Sequence, residues 1–214
     1  MLSKARDVLA KHFRNNIKTY FFLFMTFVAG VSAGAFTVNG LSTVQREELK
    51  YYFQGFLQLF ENQKIDNVEL LKVGLMDNLK IVGMLWILGV TIIGVPFIFI
   101  IIGIRGFITG FSSGFVIGTL GGKGVVFTLL ALLPKELLII PCIISLGVRG
   151  INFSQNIIRK KSKHHHTSKG SLKTRFLAYC MVTLFFTCFI FIGVFLEAYI
   201  TPVFIRMITP MITS

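Results

Sequence analysis

The chain has 214 residues, 54% of them hydrophobic and only 14% charged, with a mean hydropathy of +0.75. That is too apolar for a soluble domain of ordinary composition, and the length suits about five membrane spans of about 20 residues with modest loops. The net charge of +13 does not point to nucleic acid: of 22 Lys/Arg residues, five lie in residues 1–18 and eight between Arg149 and Arg175, at the ends of apolar runs. The positive-inside rule accounts for that distribution, and no helix-turn-helix, zinc-finger or aromatic–basic signature is present.

Residues 1–18 carry Lys4, Arg6, Lys11, Arg14 and Lys18 with Leu2, Val8, Leu9, Phe13 and Ile17 at loosely helical spacing. This predicts a basic amphipathic helix on the cytoplasmic leaflet, held by anionic lipid. The apolar run that follows is too long, and its end too poorly marked, for a cleavable signal. Residues 20–38 form the first span, with Gly30 and Gly34 as a small-residue pair.

Residues 39–80 hold six of the nine acids, Glu47, Glu48, Glu61, Asp66, Glu69 and Asp77, nearly balanced by basic residues, and are assigned to the outer side. Ser42 with Gln45, and Asp66 with Glu69, are capping-box patterns. After the first, Leu49, Tyr52, Phe53, Phe56 and Phe60 make one apolar face; after the second, Val68, Leu71, Leu75 and Leu79 do the same. Two amphipathic outer helices are expected. They either lie in the headgroups and cover the bundle, or offer the Leu49–Phe60 face to an extracellular partner's helix.

Residues 81–122 are too long for one crossing. Their one internal charge before Lys123 is Arg105, so a turn at residues 103–105 is expected to end a second span, 81–102, kinked by Pro96, and to place Arg105 in the cytoplasm. The third span, 106–122, carries a ladder: Gly106, Gly110, Gly114, Gly118 and Gly122. Such a ladder lets helix backbones approach closely in a bilayer. Each four-residue step drifts by about 40°, so one neighbour can use two or three of the glycines, and two neighbours are expected, Gly30/Gly34 supplying the first. A homodimer face is a second use. The sequence GTLGGKG at 118–124 lacks the P-loop spacing and reads as a tight outer turn.

The fourth span, 125–146, contains Pro134, Lys135, Glu136 and Pro141. Charges near the midplane are expensive, about 2.5–3.5 kcal/mol each on the insertion scale. Lys135 and Glu136 point about 100° apart on a helix, so either the helix breaks or each finds its own partner. The alternatives are a structural role or a site in a permease or transporter subunit. Residues 147–175 form a basic cytoplasmic loop, eight basic residues and no acid, which fits anionic lipid. Its His164, His165 and His166 are a weak metal pattern, and no metal or cofactor is expected. The fifth span, 176–199, ends at Glu197 in the outer interface, where Arg206 is a candidate partner. Cys142, Cys180 and Cys188 lie in apolar runs and suggest neither disulfides nor zinc. No outer nucleophile–base set emerges. The expected fold is an all-α integral membrane protein with five transmembrane helices, N-terminus inside and C-terminus outside.

The ordered phrases EELKYYFQGF (47–56), MLWILGVTIIGVPFIFI (84–100), the GF-rich stretch 105–118, LLPKELLIIP (132–141) and FLEAYITPV (195–203) span nearly the whole chain. In this set the chain resembles the stage II sporulation protein M family of endospore-forming bacteria. The resemblance implies a membrane scaffold without enzymatic activity. Such a scaffold holds two cell-wall hydrolases, sporulation proteins D and P, in the mother-cell engulfing membrane at the sporulation septum.

Overall fold

The computed structural model describes residue 14 and residues 16–62, 66–91, 93–162 and 172–213. The described residues are helical, with no strand among them. In chain order the helices are α1 (Ile17–Asn39), α2 (Thr43–Asn62), α3 (Asn67–Val90), α4 (Gly94–Leu120), α5 (Gly122–Phe127), α6 (Leu133–Ser162) and α7 (Leu172–Thr213). A π-turn, Thr128–Leu132, joins α5 to α6. Five segments are long and apolar enough to cross a membrane: Ile17–Asn39, Asn67–Val90, Gly94–Leu120, Gly122–Ile157 and Phe176–Ile205. The expected all-helical, five-span architecture is therefore present. The predicted amphipathic helix in residues 1–18 falls mostly outside the described residues.

Local chemistry explains the helix ends. Ser42 and Gln45 cap α2 reciprocally: the Ser42 N–H donates to Gln45 Oε1 at 3.1 Å and the Gln45 N–H to Ser42 Oγ at 3.3 Å. At α3, Asp66 Oδ1 accepts from the Val68 N–H at 2.9 Å. The second amphipathic stretch is not a separate outer helix. It runs without a break from Asn67 into the span that ends at Val90.

The turn between the second and third spans is at residues 91–93, not 103–105. Thr91 closes α3 by donating its N–H and its hydroxyl to the Leu88 carbonyl, at 3.1 and 2.9 Å. A side chain on Gly94 would strike that same carbonyl. Pro96 is then the third residue of α4 and not a kink in a span. In a first helical turn its missing N–H leaves nothing unpaired. The third span is thus longer than expected, and Arg105 lies inside it, near its middle.

The 118–124 segment is the tight turn that its glycines predict. Gly121 has φ 58° and ψ −131°, a conformation open essentially to glycine alone, and its N–H reaches the Ile117 carbonyl at 2.8 Å. Gly124 packs directly on the backbone of Val116 and Ile117. Gly121→Ala is expected to lower stability by about 1–3 kcal/mol, measured as a thermal shift in detergent. An unchanged melting temperature would show that the turn relaxes.

Helices α1, α4 and α7 run one way, and α3 and α6 the other. Two cores result. The larger gathers Leu23, Leu85, Ile98, Ile102, Ile139, Leu146, Val148, Ile151 and Val194 around α6. The smaller lies at the end remote from the 91–93 turn. There Leu57 of α2 meets Val116, Phe127, Ala131 and Ile205, with Phe53 and Leu120 against them. We call this end the headpiece. Helix α7 has 42 residues, about 63 Å, and its excess over a hydrocarbon core of about 30 Å extends into the headpiece.

Candidate functional site

The glycine ladder is the tightest joint in the molecule. It lies between α1 and α4, which run parallel. A side chain on Gly30 would strike the Gly103 carbonyl, and one on Gly34 the Phe107 carbonyl. In return, Gly106 faces the Phe27 carbonyl, Gly110 the Val31 carbonyl, and Gly114 the Cα of Ala35 at 3.1 Å. Two interlocked ladders bring the backbones together, as close packing in lipid requires. The expected pairing with Gly30 and Gly34 is what the structure has. The expected second neighbour is absent: a Cβ on Gly118 would meet only Val38 Cγ1, at 3.9 Å, and one on Gly122 nothing. Over two steps the drift is about 80°, still within one contact face, and beyond that the stripe has turned away. The Gly106–Gly114 part of the ladder is thus occupied inside the protomer, and Gly118 and Gly122 are not packed against another helix.

Glycine contacts that the spacing did not single out join the other helices. Gly89 of α3 and Gly150 of α6 meet with Cβ-to-Cα distances of 2.8 and 3.3 Å, and the Tyr179 ring of α7 lies over Gly89. Gly147 fits against Ile98, Ile102 and Leu23, and Gly193 against Ile139. The Tyr179 hydroxyl donates to the carbonyls of Leu85 and Trp86, and Ser154 Oγ to that of Thr91 at 2.8 Å. The signal was present in the run LGVRG of α6, whose glycines stand three apart, one turn of helix.

The charges of the fourth span find separate partners on two different helices. Glu136 accepts from Arg105 of α4 at 3.0 Å, and both side chains are largely buried. Lys135 donates to Glu197 of α7, and both side chains of this pair are mostly buried. Both expected outcomes occur, because the π-turn also interrupts the α-helix just before Pro134, which cannot donate to the preceding turn. The Ala131 carbonyl there accepts from the Thr201 hydroxyl of α7 at 3.4 Å. Gly74 of α3 makes room for the Glu197 turn: its Cβ would stand 2.9 Å from Val194 and 3.7 Å from Glu197 Oε2. Arg105 is therefore not a cytoplasmic turn residue, and Glu197 belongs to the bundle. The side chain of Arg206 lies outside the described residues. Arg105 Nε and Glu136 Oε2 are buried without hydrogen-bond partners, so their pair rests on one contact.

The apolar face of α2 is divided. Phe53 turns inward, edge-on to Phe115 at 6.1 Å and Phe127 at 5.9 Å, with Phe56 stacked on it at 6.4 Å. Leu57, which the pattern missed, is buried beside them. Leu49 is half-buried, and Phe56 remains partly exposed. Tyr51 and Tyr52 project, 76% and 74% exposed. Phe53 is thus engaged by its own bundle and is not free for a partner. The side chain of Phe60 lies outside the described residues.

No cluster of three or more His, Cys, Asp or Glu suited to a metal occurs among the described residues, and His12 and His164–His166 lie outside them.

The profile described as stage II sporulation protein M matches residues 23–202. No curated protein and no solved structure matches the chain. The matched region takes in the second, third and fourth spans, most of the first and fifth, and the Arg105–Glu136 and Lys135–Glu197 pairs. The chain belongs to the stage II sporulation protein M family and is a sporulation-related, multi-pass membrane protein.

Proposed function

We propose that this protein is a membrane scaffold, not an enzyme, which anchors and localises the peptidoglycan-degrading engulfment machinery, sporulation proteins D and P, during endospore formation. Family membership carries the proposal, and the headpiece supports it. Helix α2 is seated on the bundle by Phe53 and Leu57, which leaves a rigid helix face bearing Tyr51 and Tyr52 for a partner. In this reading the 91–93 turn faces the mother-cell cytoplasm, with Lys18, Lys173 and the basic residues of 147–175 near anionic lipid. The headpiece then faces the wall, in the engulfing membrane at the septum. Holding hydrolases requires a docking surface and a fixed anchor, and the exposed face of α2 and the five apolar spans support that reading.

Tyr52→Asp is the informative substitution, because Tyr52 is exposed and its loss leaves the headpiece core intact. The expected result is at least a tenfold loss of hydrolase co-purification from sporulating cells, with an unchanged melting temperature. Unchanged co-purification with both Tyr51→Asp and Tyr52→Asp would remove α2 as the docking element. The permease alternative, which uses Lys135 and Glu136, fits less well, since each charge already has a counter-ion. It predicts flux in liposomes that Lys135→Met abolishes.

A further inference from the structure

One face of α3 carries charge where lipid would be. Asp77 and Lys80 form a pair at 3.1 Å with 61% and 64% of their side chains exposed. At about 1.5 Å per residue, Lys80 stands about 16 Å and Asp77 about 21 Å from Thr91 at the turn end, both within a hydrocarbon core of about 30 Å. Charges at such depth normally face a bundle interior and gather further polar partners. These have only each other among the described residues. Their ridge continues through Met84 and Ile87, both exposed.

Beside the ridge, α3 and α7 leave an open apolar groove of about 640 Å³, lined by Leu79, Gly83, Trp86, Thr183, Thr187 and Cys188 among others. Gly83 has nothing within 4 Å of the place its Cβ would take. Gly74 and Gly89 on the same helix are filled by α7 and α6. Gly83 therefore makes room for something outside the protomer, or for nothing.

We propose that this face joins two copies of the chain. The copies are related by a two-fold axis along the membrane normal, and the α3 ridge of each lies in the α3–α7 groove of the other. Charge complementarity selects this occupant. A two-fold axis in that direction brings equal depths together. Like charges then stand level, and because Asp77 and Lys80 are only one turn apart, about 4.5 Å in height, each side chain reaches diagonally to its opposite on the partner, so that four charges close into a ring. A lipid chain would fill the groove and leave the charges in hydrocarbon. Gly106, Gly110 and Gly114 are already occupied by α1, so this is a different surface from the ladder that the sequence suggested. The dimer stands apart from the scaffold proposal and is read out without any hydrolase.

The test uses the full-length protein in nanodiscs. With Cys142, Cys180 and Cys188 replaced by alanine, Gly83→Cys is expected to give a disulfide-linked dimer under mild oxidation. With native cysteines, Gly83→Leu is expected to weaken dimerisation at least tenfold at an unchanged melting temperature, because Gly83 faces open space in the protomer. Lys80→Asp alone is expected to weaken the dimer, and Asp77→Lys with Lys80→Asp to restore it. A wild-type protein that is monomeric in native mass spectrometry, with or without bound lipid, overturns the proposal. So do a Gly83→Cys variant that crosslinks only to another protein, and a double charge swap that fails to rescue.

Discussion

Replacing Glu136 with glutamine should unfold much of this protein. The substitution leaves the Arg105 guanidinium largely buried between α4 and α6 with its 3.0 Å counter-ion gone. Removing one partner of a buried pair is destabilising by about 3–5 kcal/mol, because the remaining charge is uncompensated. The expected observation is a large fall in detergent melting temperature and in the amount of protein inserted. The double variant Arg105→Met/Glu136→Leu should recover most of the loss, since apolar replacement of a whole buried pair is often neutral. The same pair of variants separates structure from function. If the double variant folds and cells sporulate normally, the ion pair is an assembly device. If it folds and sporulation fails, the charges themselves are used. A single Glu136→Gln variant as stable as the wild type would mean that Arg105 reaches water or another acid, contrary to the observed geometry.

Gly34→Leu and Gly110→Leu should be nearly as severe. At both positions the obstacle is a backbone carbonyl of the facing helix, which cannot rotate away as a side chain can. Ordinary overpacking costs about 1–3 kcal/mol, and separating two backbones that meet along three ladder glycines exceeds that range. Gly118→Leu is the control, because its nearest neighbour is a Val38 methyl at ordinary contact distance. Thermal unfolding and limited proteolysis should place Gly118→Leu close to the wild type and the other two far below. Equal behaviour of Gly110→Leu and Gly118→Leu would mean that α1 and α4 are not held together here.

The number of crossings and the identity of the ladder were legible because they depend on composition and period, which do not need long-range information. The capping box at Ser42 was legible for the same reason, and at Asp66 the N-cap was, though it bonds the Val68 N–H and not the residue-69 N–H that a capping box uses. The turn between α3 and α4 was missed because charge was given more weight than backbone chemistry. Arg105 is the one charge in residues 81–122, and the positive-inside rule drew the turn to it. Thr91, Gly94 and Pro96 were the better signals, a helix stop followed by a proline in a first turn. The Arg105–Glu136 and Lys135–Glu197 pairs join residues 31 and 62 positions apart, and nothing local announces them. The division of the α2 face was hidden too. Phe53 and Tyr52 have similar apolar character, and only the position of Phe115 and Phe127 decides which of them turns inward.

The parallel joint of α1 and α4 also governs the order of biogenesis. Two helices that point the same way cannot be a hairpin, so α1 cannot meet its partner until α2 and α3 have been made and α3 has crossed back. At roughly 5–20 residues per second of synthesis, α1 waits several seconds with Gly30 and Gly34 uncovered. During that interval its grooved face is open to any small-residue helix in the same membrane. Correct assembly is therefore a race between the emerging α4 and strangers. An insertase that shelters α1, or a pause before α4, would change the yield of this protein without touching its final stability.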